Sequence, residues 1–318
     1  MATENIKTSD SHPEKDANHD RRGDDRDPNI DPYLVIPYYA ADIGVRPLPA
    51  TVVAWFCESI FIDGVPHTGA PLIAGSTVMI SAMVKNAGVK PAAAYIRFYW
   101  LDPTTVFTQA DLADGFIGQG VFPVSIPGSS GGVMSVVESP AIAWEIPDDI
   151  PPHICLFAEV GCPGDLETWS FNPVTDRHYA QHNVNIVHAM PFETTSFFFS
   201  ASNPLKETAL YEFQIRPVSR EALRFLEKQY RAKAIPVKED TISLYPVKAG
   251  SEKNGQKLHA SLRPNEKQLF RITIDMPELR NNEFLAVEVE QTLTSTREEQ
   301  PSTGSIGVLF FTESEREE

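Results

Sequence analysis

Three groups of residues in this chain have side chains that can do chemistry. Gly128-Ser129-Ser130-Gly131-Gly132 satisfies the spelling G-x-S-x-G. A nucleophile elbow of that form follows a strand and opens a helix, so that the strained turn exposes its serine. Here Val133-Met134-Ser135-Val136-Val137 follows, which reads as another strand, and the glycines read as a hairpin turn. His178, His182 and His188 gather near Asp176 and are the residue types of a zinc site. Ligands four apart face together on a helix. Residues 183–187 read as a strand, which would split the histidines. Asp25, Asp27, Asn29 and Asp31 alternate like the start of a calcium loop, in a polar stretch that also holds His12 and His19. The sixth and twelfth places of that loop require Gly and Glu, and here they hold Ile30 and Ile36, with Pro28 interrupting. The chain has no P-loop, no dinucleotide fingerprint, no C-x-x-C and no N-x-S/T acceptor. The expectation is no catalytic residue, no metal and no cofactor.

Contact residues are the better lead. Leu166, Trp169 and Phe171 sit in an otherwise polar stretch, residues 161–181, and Phe107 and Phe116 sit in the connection 101–120. Aromatic side chains on loops commonly anchor partners. The competing reading is that they fold back over the ends of a core.

The elements that position these loops are strands. Val78, Ile80, Ala82 and Val84 alternate with Thr77, Met79, Ser81, Met83 and Lys85, the period-two pattern of a half-buried strand. Asn86, Gly88 and Pro91 break the run. Ile96, Phe98 and Trp100 then alternate with Tyr95, Arg97 and Tyr99, which predicts a hairpin over 75–100. Further strands are predicted at 35–39, 52–62, 121–126, 133–137, 141–146 and 154–160, with 183–187 as the last of this unit. Short strands between frequent turn signals predict an antiparallel sandwich.

Several of these residues carry a resemblance. Val84-Lys85-Asn86-Ala87-Gly88, Phe98-Tyr99-Trp100, Ile154-Cys155-Leu156-Phe157-Ala158 and Asp176 with Ala180-Gln181-His182-Asn183-Val184 fall in order. Together they resemble the CARDB-type immunoglobulin-like modules of bacterial proteins over about residues 50–188. The resemblance implies a seven-stranded sandwich used for adhesion, spacing or assembly, without catalytic residues. It also implies that the Gln and Asn near the last strand are structural.

From residue 191 onward, Phe197 to Phe199, Tyr211/Phe213/Ile215, Ile242/Leu244, Phe270/Ile272/Ile274, Leu285/Val287/Val289 and Ile306/Val308/Phe310 predict a second sandwich. One helix is expected over 219–233, with Ser219 as its cap and Leu223, Leu226 and Tyr230 along one side. It carries Arg220, Arg224, Lys228, Arg231 and Lys233 against Glu221 and Glu227. Such a face can dock an acidic partner, or it can simply be solvated.

The 318 residues carry a formal net charge of −16, which opposes binding to a phosphate backbone. No apolar run approaches the roughly 20 residues of a spanning helix. Residues 1–7 lack the apolar core of a secretory signal. The sparse, odd set Cys57, Cys155 and Cys162 reads as thiols in a reducing compartment, so a cytoplasmic location is expected, with leaderless export left open.

These readings predict an all-β protein. Residues 1–32 form a disordered acidic tail, 33–190 a CARDB-like immunoglobulin-like β-sandwich, and 191–318 a second sandwich bearing the helix. The expected role is a non-catalytic protein-interaction or structural module in a larger assembly or homo-oligomer, with contacts through Trp169, Phe171, Leu166 and Phe107. The alternatives are a carbohydrate- or ligand-binding accessory module that stacks Trp169 on sugar, and a hydrolase using Ser130 or a metal at the histidines.

Overall fold

Thr77–Asn86 forms one continuous strand whose Val78, Ile80, Ala82 and Val84 are all buried, as the alternation requires. The structure, a computed structural model, describes residues 31–49, 51–66, 72–151, 153–166, 171–247, 255–294 and 302–312. Residues 1–30 of the expected tail, with its calcium-like Asp25, Asp27 and Asn29 and with His12 and His19, and Trp169 lie outside the described residues.

In chain order the first half contains β1 (Leu34–Val35), β2 (Ile60–Ile62), β3 (Val65–Pro66), β4 (Thr77–Asn86), β5 (Tyr95–Leu101), α1 (Gln109–Asp114), β6 (Phe116–Val121), β7 (Ser135–Glu138), β8 (Ile142–Glu145), β9 (Cys155–Gly161) and β10 (Tyr179–His182). The second half contains β11 (Val184–Ala189), β12 (Thr194–Ser202), β13 (Ala209–Pro217), α2 (Arg220–Tyr230), β14 (Lys233–Ile235), β15 (Ile242–Pro246), β16 (Lys257–Leu262), β17 (Lys267–Asp275), β18 (Glu283–Leu293) and β19 (Ser302–Thr312). The protein is all-β, built as two sandwiches.

In the first sandwich, β4 is flanked by β1 and β2 on one side and by β7 and β8 on the other, with β3 hairpinned onto β2. The facing sheet runs β10-β9-β5-β6. Ile80, Ala82, Ile96, Phe98, Leu156 and Ala158 meet in the core between them. The predicted hairpin over 75–100 is corrected here. β4 and β5 lie in opposite sheets, because Asn86 turns the chain between layers instead of back along the strand. Its Oδ1 accepts from the Tyr33 and Gly88 amides, and its Nδ2 donates to the Lys90 carbonyl.

The second sandwich packs the sheet β11-β19-β18-β13-β16 against β12-β17-β15, with β14 extending β18. Phe199, Phe213, Phe270, Val287 and Phe310 are among its buried core. Ser219 caps α2 by accepting from the Ala222 amide, and the helix ends where Arg231 adopts a left-handed φ of 51°. The apolar side of α2, through Ala222 and Leu226, packs with Phe284 and Leu309 of this sandwich and with Trp55 and Phe56 of the first.

Residues 183–187 do not close the first sandwich. β10 pairs with β9, whereas β11, one residue later, pairs in parallel with β19 in the second. A single extended segment therefore belongs to both bodies, and Asn183 is its pivot. Its Nδ2 donates to Thr104 O at 2.5 Å in the first sandwich and to Ser305 O at 3.2 Å in the second. Thr105 Oγ1 donates to Gln291 Oε1 at 2.6 Å across the same seam, and Lys267 pairs with Asp111.

Candidate functional site

The turn at Ser130 is bonded in both directions to Val133, with Gly131 and Gly132 at φ of 58° and 81°. A strand, β7, follows it, so the geometry is a hairpin turn and not an elbow.

The histidines separate. His178 and His182 are buried on or beside β10, while His188 points outward on β11 near the ring of Phe311. Among the described residues no group of three or more His, Cys, Asp or Glu is arranged to hold a metal ion. His178 instead belongs to an internal charge cluster. Its Nδ1 lies 2.7 Å from Asp176 Oδ1 and its Nε2 3.1 Å from Asp165 Oδ1. Arg177 Nη2 donates to the same Asp165 oxygen at 2.6 Å, and its guanidinium sits 3.6 Å from the Tyr33 ring centroid. Asp165 Oδ2 also accepts from the Leu34 amide at 2.5 Å, tying the first strand to this end of the sandwich. Burial opposes charge on His178, but its bonds to the two carboxylates outweigh it and raise its pKa. Burial also opposes charge on Asp165, yet His178 and Arg177 hold its pKa down. Such a cluster pins a loop and presents nothing to a ligand.

Two of the loop aromatics named from sequence are core residues. Phe107 is 1% exposed and meets Phe157 at 4.5 Å between centroids. Phe171 is 8% exposed and packs beside Tyr179. Together with Tyr99, Leu101 and Leu112 they cover the outer side of the β10-β9-β5-β6 sheet, so neither is available as a contact anchor. Leu166 is 46% exposed and remains at the surface.

The surface that does offer contacts is the outer side of the β12-β17-β15 sheet. Phe197 and Phe199 point into the core, so strand geometry turns Phe198 outward, where it is 48% exposed. In register beside it lie Arg271 and then Tyr245, with the guanidinium 5.0 Å from the tyrosine centroid. In the next row Leu269 is 42% exposed, and Val247, whose amide bonds the Leu269 carbonyl, is 44% exposed. The result is an apolar patch around one stacked guanidinium, the composition that partner surfaces favour. The sequence signal for it was the run of three phenylalanines within one strand, since alternation cannot bury all three.

No family model matches the chain, and no curated protein matches it. Solved structures similar to parts of it include the collagen adhesin of S. aureus, at 7% identity and a TM-score of 0.22 over 80% of this chain and 91% of that one. A mutant of the CFA/I adhesin CfaE of enterotoxigenic E. coli gives 10% identity and a TM-score of 0.26 over 91% and 95%. A cross-linked adhesin of Mobiluncus mulieris gives 9% and 0.22 over 80% and 97%. Scores this low carry no information on what this chain binds.

Proposed function

We propose that the protein is a non-catalytic binding module that holds another protein within a larger assembly, and that the outer side of the β12-β17-β15 sheet is its contact surface. The observation that carries this is the row Phe198, Arg271, Tyr245 beside Leu269 and Val247, half-exposed side chains on a rigid sheet. A rigid aromatic anchor spends little conformational entropy on binding. The sugar-stacking alternative loses Phe107 and Phe171 to the core, and its remaining aromatic, Trp169, lies outside the described residues.

The same proposal assigns the first sandwich to the CARDB-type modules. Its support is that the residues of the resemblance are structural groups here. Asn86 bonds four backbone groups, Asp176 holds His178, and Gln181 and Asn183 both donate to Ser305 O. A cytoplasmic location belongs to the proposal as well, supported by three buried thiols that form no disulfide.

The test is light scattering after size exclusion, together with affinity capture, on the full chain and on Phe198→Glu and Leu269→Glu. A partner or self-association that both variants lose while keeping the wild-type circular dichroism supports the proposal. A strict monomer whose captured proteins are the same in all three forms overturns it.

A further inference from the structure

Helix α2 buries its apolar side in the seam between the sandwiches, and its solvent side carries Arg220, Arg224, Lys228 and Arg231. All four are exposed. None makes an ion pair among the described residues, whereas Lys257, Arg216, Arg263 and Lys267 each do. The acidic neighbours are few. Glu58 is close enough to Lys228 to feel its charge, Glu227 Oε1 accepts from the Ala234 amide, and Glu221 lies in the first turn. On a chain of net charge −16, this is a concentrated exception.

The geometry of the row selects its occupant. Positions 220, 224 and 228 fall within about 80° of the helix circumference and rise in steps of about 6 Å, and Arg231 follows at the C-cap. In an extended peptide, every second residue recurs at about 6.6 Å on one side. An Asp or Glu at alternate positions therefore meets successive cations of the row. A nucleic acid would meet the same cations but would be repelled by the acidic remainder of the chain. A lipid surface needs an exposed apolar helix side, and that side of α2 is buried.

We propose that the Arg220, Arg224, Lys228 and Arg231 row docks an extended acidic segment of a partner protein. This rests on the binding-module reading and names the chemistry of a partner at a second surface, separate from the Phe198 patch. Exposed charge pairs of this kind give fast, salt-sensitive association more than high affinity.

The experiment is fluorescence anisotropy of a labelled (Glu-Ser)5 peptide titrated with the full chain, with an oligothymidylate and anionic vesicles as comparison ligands. The expected result is saturable peptide binding that weakens with added salt. It falls about tenfold in the double variant Arg224→Gln, Lys228→Gln and is unchanged in Phe198→Glu. Equal or tighter binding of the oligonucleotide or the vesicles overturns the proposal. So does peptide binding that the double variant retains. Binding that appears only after residues 313–318 are removed assigns the row to the chain's own glutamates at that end, which also overturns it. Loss of peptide binding with partner capture at the Phe198 patch intact sinks this inference alone. Loss of capture with peptide binding intact sinks the sheet-patch proposal alone.

Discussion

Trp55 of the first sandwich rests directly on Gly307 of the second, so closely that a methyl group at Gly307 would overlap the six-membered ring of the indole. Trp55 is fully buried in the cluster that α2 seals. The contact works only because residue 307 has no side chain. Gly307→Ala forces either the ring or β19 to move, and overpacking of this sort costs about 1–3 kcal/mol. Urea unfolding should show that loss, and Trp55→Ala should relieve part of it in the double variant. Equal stability of Gly307→Ala and the wild type would mean that the seam yields without cost.

Glu288 stands opposite Gly307 in the β18/β19 register. Burial, reinforced by the charge of Glu290, raises its pKa to about 7. The folded state then holds a proton that the unfolded state has released above its ordinary value of 4.5. Stability attributable to this group is therefore highest below pH 4.5 and falls as pH rises towards 7. Glu288→Gln should be more stable than the wild type at about pH 8, by about 3 kcal/mol at most at 1.36 kcal/mol per tenfold change in proton affinity. The gap should close below about pH 4.5. Denaturation of both proteins across that range measures it.

His178 changes stability in the same pH direction for the opposite reason. Burial and Arg177 oppose its charged form, but Asp165 and Asp176 face it and make that form the favoured one. The stabilisation it supplies is complete below its ordinary value of 6.5 and is lost as pH rises through the raised folded value. His178→Gln keeps hydrogen-bonding capacity without the charge. The wild type should exceed it most at about pH 6, with the difference shrinking by about pH 9. A pH-independent difference would show that His178 is neutral in the folded protein.

Much of this architecture can be read from residue types. The alternation at 77–86 and at 95–100 gave both strands to within a residue, and Ser219 gave the start of α2. The choice of partner strand could not be read. Period two predicts a strand over residues 183–187, but only tertiary packing says that the segment, observed at Val184–Ala189, leaves the first sandwich to run beside β19. β6 was hidden for a different reason. Gly118 and Gly120 lower its strand propensity, yet they are what allow Ile142 to close over that sheet edge. The short helix α1 did have a signal, because Thr108 and Asp111 form a reciprocal capping box. Phe107 and Phe171 misled because a loop aromatic looks the same in sequence whether it faces out or folds back onto a sheet.

Cys57 illustrates how burial governs reactivity. Removal from water pushes its thiol pKa up to about 12, despite its bonds with Ser59. Cys155, fully buried and touching the Asn183 side chain, is raised by the same cause. Neither presents a thiolate near neutral pH. Iodoacetamide should label these two positions in the native protein no faster than the chain unfolds, and promptly in denaturant, as peptide mass spectrometry would show. Rapid native labelling of Cys57 would mean that residues 53–57 open away from the seam.

Asn183 separates two accounts of how the sandwiches are joined. If apolar contact at Trp55 and Phe56 suffices, changing Asn183 should cost little. If the pivot matters, Asn183→Ala takes this donor from the buried Thr104 carbonyl, at about 1–3 kcal/mol for a buried unsatisfied group, and leaves Ser305 O with Gln181. Asn183→Asp is the sharper variant. It is nearly the same shape, but it turns an amide that donates to two carbonyls into a carboxylate facing them, buried beside the Cys155 thiol. The expected order of stability is wild type, then Ala, then Asp. Proteolysis should show the seam opening before either core unfolds, with cuts appearing first next to residues 183 and 305. Asp tolerated as well as Ala would mean that water reaches the pivot.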